Sequence, residues 1–309
     1  MAVTILTPAT QLATGAVAVG RRRLATSVRQ LVAGDAPMIR DLSKPVTGDP
    51  GLFGPDSVTW RIHADACMFV AGVRALLLQT MHPLAMAGVA DHSGYREDPL
   101  GRLSRTAHYV GVVSYGTTDQ ATDVISMVKH VHEHVVGTAP NGRHYEANDP
   151  HLLLWVHHAL TDSFLRTYQR YGAEPLTEAD ADRYVAEQAV LADLFGAESA
   201  TTSVAELEAW FRAEAPQLWA GPQARTAARW LLAPPLPLAA RPPYVIVVAA
   251  AIGLLPPWVR GQLRLPLAYG IDPLLVRPAT RSALSALSWI MGGYPVERAS
   301  TFAEAPDAA

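Results

Sequence analysis

The chain has 309 residues, half of them apolar, and a formal net charge of −3. That is enough apolar material for a sizeable core, in two domains or one large helical one. No basic cluster suited to nucleic acid is present, and the lone cysteine, Cys67, excludes an intrachain disulfide or a thiolate metal cluster.

Residues 1–50 read as a lead-in with one helix across 17–33, whose Arg21, Arg22 and Arg23 form a solvated face. An apolar stretch precedes these arginines instead of following them, the wrong order for an export signal, so cytoplasm is the expected compartment. Residues 51–309 read as a single α-helical domain. After Gly54-Pro55-Asp56-Ser57, the spacing of Val58, Ile62, Met68, Phe69, Val73, Leu76 and Leu77 predicts one long helix that stops at Pro83. A loop containing "DHSGYREDP" follows. Helical patterns then cover about 100–114, 118–136, 149–172, 177–195 and 203–214. The proline-rich "APPLPLAARPPY" at 233–244 breaks the domain before helices near 244–254 and 279–292. "YVIVVAAAIGLL" at 244–255 falls short of the roughly 20 residues that cross a bilayer. It reads as a core helix, with peripheral membrane contact as the alternative. Alternating strand runs and repeats are lacking, so the expected fold class is all-α.

All eleven histidines precede residue 160, and they are densest in "KHVHEHVV" at 129–136. His130 and His134 stand i, i+4 and could chelate a metal together, the basis of a metallohydrolase reading. The second histidine of a His-Glu-x-x-His zinc motif is replaced by Val136. With Val128 at zero on a helical wheel, His132 lies about 40° away, among Ala121, Val124, Ile125, Val131 and Val135. His130 and His134 fall near 200° and 240°, on the polar side. His132 therefore points inward, as a hydrogen-bonded structural histidine or as an iron or zinc ligand. In "DPHLLLWVHHALTDSFLRTYQRYG" the stripe Leu153, Val156, Leu160, Phe164 and Tyr168 carries His157 inward and leaves His158 about 100° further round. His82 ends another apolar segment, so several imidazoles approach one interior.

In "DPLGRLSRTAHYV", Arg102 and Thr106 share a helix face, with Arg105 at i+3. A cation and a hydroxyl so placed suit polarising dioxygen or steering a carboxylate. A surface arginine with a threonine bonded back to the helix is the alternative.

Taken in order, "LLLQTMHPLAMAGVADHSGYREDPLGRLSRT", "SYGTT", "VHEHVVG" and "YEANDPHLLLWVHHALTDSFL" resemble the rubber oxygenase catalytic domain family, which takes in latex clearing proteins and MpaB-like oxygenases. The likeness covers roughly 53–290. It implies a globin-like helical core with additional N- and C-terminal helices, holding haem b through one proximal histidine. The family's Arg-x-x-x-Thr corresponds to Arg102 and Thr106. Its ligand histidine, in His-x-x-Val-x-Gly, corresponds to His132 with Val135 and Gly137. The implied activity is a dioxygenase-like oxygenase acting with dioxygen on a small apolar, isoprenoid or lipid-like substrate. In that reading Arg102, Arg105 and Thr106 serve catalysis, while His157 and His82 stand near the cofactor. A haem sensor or carrier with closed six-coordinate iron is the alternative. The chain departs from latex clearing proteins in having Arg105 where they have a distal lysine, and a guanidinium ligates metal poorly. It also has Val136 in place of an arginine, and it lacks their export signal, which argues against polymer cleavage.

Overall fold

The computed structural model describes residues 19–28, 30, 46, 48–265 and 272–291. They form an all-α protein with one two-stranded ribbon. Helix α1 covers 19–28, inside the expected 17–33; the rest of that span lies outside the described residues. Then come α2 (Val58–His63), α3 (Met68–Gln79), α4 (Pro83–His92), α5 (Pro99–Tyr115), α6 (Thr118–His132), strands β1 (Val136–Thr138) and β2 (His144–Glu146), α7 (Pro150–Tyr171), α8 (Glu178–Phe195) and α9 (Val204–Glu214). The chain ends in α10 (Pro222–Leu232), α11 (Arg241–Leu254), α12 (Pro257–Leu263) and α13 (Arg277–Met291). Among the described residues no single helix is long and apolar enough to cross a membrane.

Local chemistry sets the boundaries. Asp98-Pro99 and Asp149-Pro150 start α5 and α7 alike: the aspartate accepts first-turn N–H groups and proline fills a position that needs no donor. Thr117 with Gln120, and Thr177 with Asp180, form reciprocal capping boxes on α6 and α8. The long helix expected from Val58 to Pro83 is two helices. Asp65 interrupts it, its carboxylate accepting the Cys67 N–H at 2.7 Å and the Ala173 N–H at 2.8 Å, in competition with the helical ladder. Pro83, expected as a stop, opens α4 behind the His82 cap. The pattern over 118–136 ends early, since the chain leaves α6 at His132 and enters β1. β1 and β2 pair antiparallel, with Gly137 opposite Tyr145.

The core is centred on α3, packed against α7 and α11. Ile62, Leu77, Met81, Trp155, Leu165 and Tyr184 are fully enclosed there. Cys67 is buried in it, as expected. A charged tie crosses this core: Arg74 donates to Asp162 and Ser163 at 2.7 Å each on α7, and to the Leu254 carbonyl at 3.2 Å on α11. A second polar tie is His63, bonded to Ser114 at 2.7 Å and Tyr184 at 3.0 Å, which links α2, α5 and α8. Burial lowers the His63 pKa to about 3, so the ring is neutral.

Candidate functional site

Helices α5 and α6 form a hairpin joined only by Gly116 and Thr117. Arg102 lies fourteen residues before Gly116 and His132 fifteen after Thr117. At 1.5 Å of rise per residue both stand about 21–22 Å from the turn, at the open end of the hairpin. Arg102 and His132, singled out separately in the sequence, each lie toward the end of their helix away from the turn.

His132 is half-buried, and its Nδ1 is a buried atom without a hydrogen-bond partner. Burial lowers its pKa, and Asn148 works against that shift. Asn148 is close enough to favour the protonated ring but falls short of bonding geometry, since its Oδ1 is also buried and unpartnered. Its Nδ2 donates to the Lys129 carbonyl at 3.0 Å, closing the last turn of α6. The residues after His132 anchor this helix end. Val135 packs with Leu84, Ala87 and Tyr145, and a Cβ on Gly137 would stand 2.5 Å from the Tyr145 hydroxyl. Tyr145 in turn donates to Asp91 at 2.7 Å.

The wheel over-extended the buried stripe of α6. Val124 and Ile125 pack under Val112, Val113 and Leu191, but Val131 is 56 % exposed. Among the described residues its neighbours cover mainly the first half of the helix, and Val131, next to His132, is left open. His130 and His134 are exposed, as the wheel required; His130 pairs with Glu133 at 3.0 Å, and His134 Nδ1 is 3.2 Å from the His130 carbonyl.

Arg102 is half-buried, with its Nη1 enclosed and lacking an acceptor. Burial and the charge of Arg105 lower its pKa, while Tyr95 opposes them. Thr106 is exposed and bonds back to the Arg102 carbonyl at 3.0 Å, and Arg105 is exposed and paired with Asp98 at 3.2 Å. Neither of these two side chains is enclosed as that of Arg102 is.

His157 and His158 exchange the ranks the stripe gave them. His158 is the fully buried one, its ring 4.5 Å from the Trp210 ring, whereas His157 is half-buried and 3.4 Å from the Thr161 hydroxyl. The wheel failed because α7 is buried on most of its circumference while Val156 is 40 % exposed. Burial lowers the pKa values to about 4 for His157 and about 3 for His158, whose neighbour adds to the shift.

His82 belongs to another cluster. Its Nδ1 accepts the Ala85 N–H at 3.4 Å, its ring lies 5.9 Å from Trp155, and its Nε2 is 4.0 Å from Glu214. Glu214 is also 3.1 Å from His151 Nε2, and Glu198 is 3.1 Å from His151 Nδ1. His151, Glu198 and Glu214 drew no notice in the sequence. Their one local signal is an imidazole directly after the Asp149-Pro150 start of α7.

The described residues thus form an all-α protein with a half-buried histidine at the end of α6 and a half-buried arginine near the start of α5. Residues 60–289 match the family model described as ER-bound oxygenase mpaB/B′ and rubber oxygenase, catalytic domain. The chain belongs to that family of oxygenases. Comparison with curated proteins and with solved structures returned no match.

Proposed function

We propose that the protein is a haem b-dependent oxygenase of a small apolar substrate, with His132 as the proximal iron ligand. The observation that supports this reading is the half-buried His132, whose enclosed Nδ1 has no hydrogen-bond partner among the described residues, together with Arg102, whose enclosed Nη1 likewise lacks an acceptor among them. These residues fit a haem. Val128 and Val135, within about 60° of His132 on the helical wheel, would offer apolar surface, His132 a nitrogen for the iron, and Arg102 a cation for a propionate. A globin-like arrangement of the surrounding helices is part of the proposal.

When bound, haem supplies the dioxygen and redox chemistry, and the protein supplies position and exclusion of water. His132 holds its ring neutral through burial, the form in which a nitrogen can ligate. With a small shift, Asn148 Oδ1 would accept a hydrogen bond from the His132 Nδ1–H and so fix the tautomer. Val135 and Gly137 hold the end of α6 against α4 and β2, which limits how far His132 can swing. Arg102 gains at this site the acceptor it lacks. Arg105 and Thr106, on the exposed side of α5, meet an arriving substrate or carboxylate at the entrance. His157 and His82 lie outside the proposed ligand set. Cytoplasmic residence, with contact to a membrane that stores apolar substrate, completes the reading.

The test is haem reconstitution of the purified full chain. A Soret band at one haem per chain is expected, abolished in His132→Ala and weakened in Arg102→Leu, with the protein still folded by circular dichroism. An unchanged Soret band in His132→Ala removes the proposed ligand. Rapid, complete carbon monoxide binding to the reduced form is expected; its failure favours a closed six-coordinate carrier.

A further inference from the structure

The His82 cluster stands apart from the haem reading. His82 caps α4, His151 lies in the first turn of α7 and Glu214 ends α9. One donor atom from each lies within 4.8 Å of the other two. Around a zinc ion at bond lengths near 2.1 Å, tetrahedral ligand atoms sit roughly 3.4 Å apart. The 3.1 Å between His151 Nε2 and Glu214 Oε1, and the 4.0 Å between His82 Nε2 and the same oxygen, bracket that value.

Three further features favour a cation here. The side chains of His82 and Glu214 are 2 % and 5 % exposed, which shields them from water, while His151 at 30 % leaves an entry route. Glu198 on His151 Nδ1 is the outer carboxylate that orients a metal-bound imidazole and leaves Nε2 to ligate. Charge also points this way, since two carboxylates, Glu198 and Glu214, converge on the single ring of His151. We propose that His82, His151 and Glu214 bind a divalent first-row transition metal, of the zinc or iron(II) class, at a site separate from His132. Two imidazoles and one carboxylate with an open fourth position suit both ions.

Two protons compete with the metal. Burial alone disfavours charge on His151, but the Glu198 and Glu214 contacts prevail and raise its pKa, so the metal must displace that proton. On His82 the Ala85 N–H holds Nδ1 as acceptor, which puts the ring proton on Nε2. Ligation moves that proton to Nδ1 and gives up the Ala85 bond, which at 3.4 Å is long for a hydrogen bond.

The experiment loads the full-length, haem-free, chelator-treated protein with Zn2+ or Co2+. It uses a His130→Ala/His134→Ala background, because that exposed pair could chelate by itself. One metal per chain is expected, with ligand-field bands of low-coordinate Co2+. Glu214→Gln and His151→Asn should lose it, and Glu198→Gln should weaken it about tenfold. His82→Asn keeps the helix cap, since an asparagine oxygen accepts the same N–H, yet it should also lose the metal. His132→Ala should bind normally, which separates this site from the haem reading. Folded protein that takes up no metal, or uptake that survives Glu214→Gln and His82→Asn, overturns the proposal and leaves a hydrogen-bonded clamp.

Discussion

Gly137 illustrates how a motif residue acts without touching a ligand. A methyl group there would meet the Tyr145 ring at 2.8–3.1 Å as well as its hydroxyl, and Tyr145 is buried and tied to Asp91. The ring cannot withdraw without breaking that bond. Gly137→Ala should therefore cost about 1–3 kcal/mol, the usual range for overpacking, read as a lower urea midpoint at constant slope. It should also weaken haem retention by displacing the end of α6. Gly72, on α3, supplies the contrast, because an added Cβ there meets nothing within 4 Å. Gly72→Ala should stabilise by about 0.5–1 kcal/mol through helix propensity. If both substitutions shift the midpoint the same way, close packing at Gly137 is not what the position requires.

At the scale of elements, Arg74 joins α3, α7 and α11 through three hydrogen bonds, while its partner Asp162 is shared with Arg166, which also pairs with Glu208. Arg74→Ala leaves Asp162 and Ser163 buried with fewer donors, and should cost about 3–5 kcal/mol, the range for breaking a buried pair. A double-mutant cycle with Asp162→Ala should show coupling, the double variant losing less than the sum of the two; strict additivity would argue that the contact adds nothing. Neither partner was singled out in the sequence, because nothing local pairs position 74 with 162. The long helices were legible for the opposite reason. Pro150–Tyr171, Glu178–Phe195 and Val204–Glu214 follow the spans 149–172, 177–195 and 203–214 closely, since caps and amphipathic periods are local. α4, α10 and α12 were missed, and the break at Asp65 depends on an N–H more than a hundred residues away. For the site, phase alone separated His132 from His130 and His134. The His82, His151 and Glu214 cluster needed three distant segments to meet.

Across the described residues, imidazoles whose pKa burial lowers set how stability responds to acid. His63, His82, His157 and His158 have folded-state pKa values lowered chiefly by burial to about 3, 4, 4 and 3, against about 6.5 in the unfolded chain. Between these limits the unfolded state binds more protons than the folded one, so stability falls as the pH falls. Their contribution is complete above pH 6.5 and is lost progressively as the pH drops toward 4. Each group contributes about 1.4 kcal/mol per pH unit, so four give roughly 5–6 kcal/mol per unit where all are engaged. His151 opposes this with a single proton, because its raised pKa favours the folded state on the acid side. The expected result is a folded protein whose stability is level from pH 8 to 7 and falls steeply between pH 6 and 4.5. Urea unfolding of the haem-free chain across this range measures it. His63 is the site to vary, since its ring bonds Ser114 and Tyr184 in the neutral form. His63→Gln preserves a donor and an acceptor but cannot titrate, so it should lower stability at pH 7 while making the acid slope shallower by about one proton. A slope that stays the same would remove His63 from the titrating set.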